Sequence, residues 1–256
     1  MSKVVLITGA GSGIGKATCE LLLKNAYKII CIDKNTDTLQ AIYIENKDVF
    51  IKQVNIKDDI LLSESIKESI NHFGSIDIWI NNAGIMPKAH FEKMNLDDIR
   101  NIMEVNFLGT VKVMQWAINY FLGQNKKGHI INIASITGKV PLPYSTVYSA
   151  SKAAIANLCN GLRSEYDHQD IKITCVLPGS VNTPLIKDMK APIFPPVISP
   201  VKVASKILQL IKKPKNNVYI PWYLGPMGIL QDILPHKVLM YIGDKIKITE
   251  SAKPKS

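Results

Sequence analysis

The chain has 256 residues, 46% of them hydrophobic and 20% charged. That balance belongs to an ordinary globular protein and excludes a disordered or fibrous one. The formal net charge is +10, but only Arg100 and Arg163 are arginines. Sequence-specific DNA readers lean on bidentate Arg, so nucleic-acid binding is set aside and a lysine-rich solvated surface is expected.

Cys19, Cys31, Cys159 and Cys175 are scattered through apolar contexts, with no Cys-x-x-Cys pair. They read as buried thiols in a reducing, cytoplasmic compartment, and no zinc or other metal site is expected. Met1-Ser2-Lys3 leads straight into a strand-like run, so neither a leader nor an N-terminal anchor is expected.

Residues 3–8 contain Val4-Val5-Leu6-Ile7, which suits a parallel strand buried on both faces. Gly9, Gly11, Gly13 and Gly15 follow, then a helical pattern to Lys24. Residues 27–32 form a second apolar run ending at Asp33, and 49–56 read as a third strand. Residues 58–73 are amphipathic at helical spacing, with Gly74 as C-cap. A fourth strand at 76–80 runs into Asn81-Asn82-Ala83-Gly84. A long helical stretch covers 96–121, with Asn95 or Asp97 near its cap. A fifth strand is expected at 129–134, a helix at 147–166 and a sixth strand at 171–177. Strands alternating with helices at this spacing predict an α/β fold. A single doubly wound domain over 1–256 fits, with helices on both faces of a parallel sheet.

In such sheets ligands bind beyond the carboxyl ends of the strands. The distinctive residues fall there: the glycines after the first strand, Asp33 after the second, Asn81 to Gly84 after the fourth, Ser135 after the fifth, and Pro178-Gly179 after the sixth. The loop Thr8-Gly9-Ala10-Gly11-Ser12-Gly13-Ile14-Gly15 lets backbone amides approach a pyrophosphate at a helix N-terminus, where the dipole favours anions. Its spacing is Gly-x-x-x-Gly-x-Gly, because Ile14 stands where Gly-x-Gly-x-x-Gly has its last glycine. Asp33 lies about twenty residues on, where a carboxylate accepts hydrogen bonds from adenosine ribose hydroxyls and repels a 2′-phosphate. That favours NAD over NADP, although Lys34 follows; the bland alternative is that Asp33 caps a turn with Asn35.

Tyr148 and Lys152 sit four apart at the start of a helix, so their Cβ atoms lie about 5–6 Å apart on one face. A fixed ammonium favours phenolate, which would make Tyr148 a proton donor and acceptor near neutrality. Ser135 is placed to hydrogen-bond the substrate oxygen that Tyr148 serves.

Taken together these residues resemble the short-chain dehydrogenase/reductase family, a Rossmann-type fold, over Lys3 to about Thr183. The likeness rests on Thr-Gly-x-x-x-Gly-x-Gly at Thr8 to Gly15, Asn-Asn-Ala-Gly at Asn81 to Gly84, Asn106, Ser135, Tyr148-x-x-x-Lys152 and Pro178-Gly179. It implies Tyr148 as general acid/base and Lys152 as the residue that binds the nicotinamide ribose and lowers the tyrosine pKa. Ser135 would orient the substrate oxygen, and Asn106 would hold a relay water. Gly9, Ser12, Gly13, Ile14, Gly15, Asp33, Asn82, Ala83 and Gly84 would line the cofactor, with Pro178, Gly179, Val181 and Thr183 at its nicotinamide end. Asn55, followed by Ile56, replaces the Asp common in the family after the third strand, and would offer a carbonyl to adenine. The implied chemistry is NAD-dependent interconversion of a secondary alcohol and a ketone by a homodimer or homotetramer. A non-catalytic dinucleotide sensor and a membrane-surface lipid oxidoreductase are the alternatives.

The substrate-covering segment is expected within 185–215, where Ala191 to Pro200 is Pro-rich and apolar. With Met86, Pro141, Leu142 and Tyr144 it suggests an apolar pocket, a stiff surface connection being the alternative, and by analogy with family members that carry similar apolar C-termini the resemblance implies a steroid, retinoid, lipid-like or small hydrophobic carbonyl compound. Within 218–245, the stretch from Val218 to Leu234 is unusually apolar, though Pro221, Gly225, Pro226 and Gly228 interrupt it. It is too broken for a spanning helix. A final strand with a subunit interface, a pocket wall and an interfacial membrane anchor at Trp222 all stay open. Residues 246–256 read as a frayed polar tail.

Overall fold

The computed structural model describes residues 2–187 and 195–234. Residues 191–194 of the proline-rich run and the tail expected to fray therefore lie outside the described residues. In chain order the elements are β1 Val4–Thr8, α1 Gly13–Leu23, β2 Lys28–Asp33, α2 Asp37–Tyr43, β3 Val49–Gln53, α3 Asp59–Phe73, β4 Ile78–Asn81 and α4 Leu96–Met103. Then come α5 Thr110–Gly123, β5 Gly128–Ile133, α6 Thr146–Tyr166, β6 Ile171–Pro178, α7 Pro200–Lys212, β7 Asn217–Ile220 and α8 Leu224–Ile233.

The seven strands form one parallel sheet in the order β3-β2-β1-β4-β5-β6-β7. Every residue of β1 is buried, as expected for a strand covered on both faces. Alternate side chains feed two separate cores. Leu6, Ile30, Trp79 and Ile130 pack with Leu62 and Ile66 of α3, Phe121 of α5 and Ile155 of α6. Val5, Ile29, Ile80 and Ile131 pack on the other face with Leu22 of α1, Leu39 of α2 and Ile207 of α7. The four cysteines are free and buried, with the Sγ atoms of Cys19 and Cys31 3.7 Å apart.

Local chemistry sets several boundaries. The Asp58 carboxylate accepts from the Leu61 N–H at 3.0 Å to start α3, and Gly74 ends it in the left-handed region at φ 79°. Asn95 caps α4 in the same way through the Asp98 N–H at 2.7 Å. The helix expected over 96–121 is interrupted by a π-helical turn at Glu104–Gly109. Single widened turns of this kind re-aim a side chain, and this one holds buried Asn106 against Ile85.

The sequence pattern left out α2 and α7, and it treated Pro226 as a break. In α8, Pro226 falls in the first turn, where an N–H has no intrahelical partner to lose. The final strand is present as β7. Among the described residues, no helix is long and apolar enough to cross a membrane.

Trp79 is fully buried at the sheet centre, and its indole N–H has no hydrogen-bond partner among the described residues. Trp79→Ala is expected to cost about 3–5 kcal/mol in urea unfolding through the cavity it leaves. Trp79→Phe should cost clearly less than Trp79→Ala in the same measurement, because it keeps much of the volume and removes the unpaired donor.

Candidate active site

The chain leaves β1 and β4 side by side, since Thr8 is in register with Asn81. Their loops are tied together. The Thr8 Oγ1 accepts from the N–H groups of Asn82 and Ala83 at 3.1 and 3.2 Å. The Asn82 side-chain amide donates to the carbonyls of Thr8 and Gly9 at 3.2 and 2.8 Å. Gly9 has φ +66°, and a Cβ there would lie 2.7 Å from the Ala83 Cα. A Cβ on Gly15 would lie 2.0 Å from the Gly9 carbonyl oxygen. These glycines are therefore set by close backbone approach. Ser12 precedes α1 without capping it, so the first-turn amides are open to an anion.

Asp33 ends β2 beside this loop. Its Oδ2 accepts from the Gly11 N–H at 2.8 Å and its Oδ1 from the Asn35 N–H at 3.1 Å. The turn with Asn35 thus exists together with a carboxylate that faces the cavity. Asn55 forms a comparable turn, its Oδ1 accepting from the Lys57 N–H at 3.2 Å.

At the other end Ser135 follows β5 and opens the short 3-10 turn Ile136–Gly138. Its Oγ accepts from the Thr137 N–H at 3.1 Å and from the Thr137 hydroxyl at 3.0 Å. Tyr148 and Lys152 stand on successive turns of α6, and both are buried. The Lys152 Nζ donates to the Ile133 carbonyl at 2.9 Å and lies 5.7 Å from the Tyr148 ring centroid. Burial pushes the phenol up to about 12, with the Ser135 hydrogen bond opposing. Burial also brings the Lys152 ammonium down to about 8. Within the polypeptide, then, burial is the dominant influence on the phenol and the Ser135 hydrogen bond opposes it.

Both ends open into one cavity of about 700 Å³ at the carboxyl ends of the strands. Of the predicted residues, Gly9, Ser12, Gly13, Ile14, Asp33, Asn55, Ile56, Asn82, Ala83, Gly84, Ser135, Tyr148, Lys152, Pro178, Gly179, Val181 and Thr183 line it. Gly15 and Asn106 do not. Gly15 packs behind the loop. Asn106 is fully buried: its Oδ1 accepts from the Ile85 N–H, and its Nδ2 donates to the Ile85 carbonyl and the Ser151 hydroxyl. Tyr144, expected in the pocket wall, instead stands edge-on to His90 at 4.8 Å and does not line the cavity. Leu224 and Met227 of α8 do line it, which sequence spacing had no means of specifying.

The donor set fits a nicotinamide dinucleotide. A Cβ on Gly13 would lie 2.8 Å from the Thr183 Cγ2, so this glycine lets the chain after β6 close over the anion-binding turn. A Cβ on Gly84 would lie 3.3 Å from the Asn106 Oδ1 and 3.5 Å from the Lys152 Nζ. Among the described residues, no three His, Cys, Asp or Glu side chains gather as a metal site.

Comparisons with known proteins bear on the family and the fold. A family model described as short chain dehydrogenase matches residues 3–193. An oxidoreductase of Staphylococcus saprophyticus, itself described as uncharacterised, is 36% identical over 236 residues, covering 88% of this chain and 96% of that one. A Staphylococcus aureus oxidoreductase of the same description is 33% identical, covering 84% and 93%. The solved structure of ElxO with NADP bound superposes with a TM-score of 0.76 at 26% identity, covering 86% and 97%. A 3-ketoacyl-(acyl-carrier-protein) reductase from Brucella melitensis, complexed with NADH, shares the fold with a TM-score of 0.79 at 23% identity, covering 85% and 96%. The chain belongs to the short-chain dehydrogenase/reductase family and is an NAD(P)-dependent oxidoreductase.

Proposed function

We propose that this enzyme uses NAD(H) to interconvert an apolar secondary alcohol and its ketone. The observation that carries this reading is the meeting of Ser135, Tyr148 and Lys152 in the cavity that also holds the Asp33 carboxylate. A bound nicotinamide dinucleotide supplies the hydride acceptor or donor and, when oxidised, a positive ring that favours phenolate. Ser135 holds the substrate oxygen by a hydrogen bond, and Tyr148 exchanges the proton on that oxygen. Lys152, held by the Ile133 carbonyl, keeps its ammonium 5.7 Å from the Tyr148 ring centroid and would bind a ribose hydroxyl of the cofactor. Asn106 acts through Ile85, holding the loop after β4 in place.

The two structural relatives carry NADP and NADH respectively, so the choice falls to this chain's own residues. Asp33 favours NAD, because its carboxylate already holds two backbone amides and cannot move aside for a 2′-phosphate. Met86, Pro141, Leu142, Leu224 and Met227 give the substrate end an apolar wall, which supports a hydrophobic substrate. One sheet carries every part of the site, which supports a single domain. Buried free thiols support a reducing, cytoplasmic setting. A homodimer or homotetramer remains part of the proposal.

Tyr148→Phe is expected to lower turnover at least about a thousandfold with NADH affinity kept, read by steady-state rates and fluorescence titration. A variant keeping most of its activity would remove Tyr148 from this role. Alcohol oxidation needs the phenolate, so its rate should rise with pH, while ketone reduction should fall as the phenol deprotonates.

Lys152→Met should also abolish turnover, yet melt no lower than wild type at pH 7. Folding takes the Lys152 value from 10.5 to about 8, a cost on the order of 3 kcal/mol to the charged form. Because the folded pKa lies below the unfolded one, this cost is full below pH 8 and disappears as pH rises to 10.5.

Asp33→Ala should weaken NADH binding about tenfold or more and raise relative affinity for NADPH, read by paired titration. Tighter NADPH than NADH binding by the wild type would overturn the cofactor assignment.

A further inference from the structure

A serine hydroxyl offers one O–H donor and two acceptor lone pairs. At Ser135 both acceptor sites are filled by Thr137. The Thr137 N–H donates to the Ser135 Oγ at 3.1 Å, and the Thr137 hydroxyl donates to the same oxygen at 3.0 Å. What remains is the Ser135 proton, and Ser135, Thr137 and Tyr148 all line the same cavity. The turn after β5 does not need the Thr137 hydroxyl. The Gly138 N–H donates to the Ser135 carbonyl at 3.1 Å, and the Lys139 and Val140 N–H groups donate to the Ile136 carbonyl at 2.8 and 2.9 Å. The hydroxyl bond is an addition to a turn that backbone N–H groups already close. Thr137 is β-branched and half-buried, which restricts its χ1 and the aim of its hydroxyl.

We infer that Thr137 is a positioning residue, which fills the acceptor sites of Ser135 and so fixes that serine as a donor to the substrate oxygen. The inference rests on the roles proposed for Ser135 and Tyr148. An unrestrained serine hydroxyl rotates and can turn a lone pair toward the substrate. Held by Thr137, it presents only its proton. A carbonyl oxygen can only accept, and it gains negative charge during reduction, so a fixed donor serves it best in the transition state. Accepting two hydrogen bonds also polarises the Ser135 O–H and strengthens its donation. Without substrate the same donation acts on the Tyr148 phenol and favours its ionised form. Lys152 on α6 is a charged neighbour of that phenol, 5.7 Å from its ring centroid, and is the same in every variant that tests this role.

The test compares Thr137→Val, which keeps the branched shape and the backbone N–H, with Thr137→Ser, which keeps the hydroxyl. Tyr148 ionisation is read without substrate, as the phenolate absorbance lost on Tyr148→Phe, in protein saturated with the oxidised dinucleotide. Thr137→Val should raise the midpoint by about half to one pH unit, the worth of one hydrogen bond. Thr137→Ser should stay near wild type. In a Ser135→Ala background Thr137→Val should add no further shift, because its partner is gone. In turnover, Thr137→Val should lower kcat about three- to tenfold with KM nearly unchanged, and Thr137→Ser should restore it. The Thr137→Val melt should match wild type, because the turn keeps its backbone bonds. Three results would overturn the inference: an unmoved Tyr148 midpoint in Thr137→Val, an equal shift in the Ser135→Ala background, or Thr137→Ser behaving as Thr137→Val does. If the alcohol–ketone reading itself fails, wild type turns over neither alcohol nor ketone, and the Tyr148 midpoints still decide the role of Thr137.

Discussion

The structure depends on the tie between two loops at the middle of the sheet. The strand order turns outward in both directions from β1 and β4, so the loops that follow them diverge and leave a crevice. Asn82 and Thr8 hold that crevice at fixed width through four hydrogen bonds, two donated by the Asn82 side chain and two accepted by the Thr8 hydroxyl. Gly9 and Gly15 let the backbones come that close. The cavity lining is arranged around this junction. Gly13 opens α1 beyond it, Asp33 lies on one side, and Ser135, Tyr148 and Lys152 lie on the other.

At the Tyr148–Lys152 end of the cavity, burial sets the protonation of both side chains. Tyr148 and Lys152 are both desolvated, and each is pushed toward its neutral form. The Ser135 hydrogen bond opposes this for the phenol, and the Ile133 carbonyl gives the ammonium a partner. A protonated phenol suits donation to a carbonyl oxygen. Under the proposed reading, a positively charged oxidised nicotinamide would favour the phenolate that the reverse transfer needs.

The substrate end is built from elements far apart in the chain. The loop after β4 contributes Met86, the loop after β5 contributes Pro141 and Leu142, and α8 contributes Leu224 and Met227. Helix α8 closes this wall with Leu224 and Met227 and leaves Leu230 exposed on its outer side.

By itself the sequence determined the parallel sheet and most of the cavity lining. Strands buried on both faces must be apolar throughout, so β1, β2, β4, β5 and β6 were visible as short runs. Glycines at close approaches and a Tyr–Lys pair one helical turn apart are local patterns, legible without a partner in view. Only tertiary structure decided the rest. The π turn around Asn106 depends on Ile85, twenty-one residues away, which takes the Asn106 amide as its partner. The exclusion of Gly15 and Tyr144 from the cavity wall, and the inclusion of Leu224 and Met227, follow from which backbones meet. The high tyrosine pKa follows from burial, a property of the surrounding packing that no spacing between two residues contains.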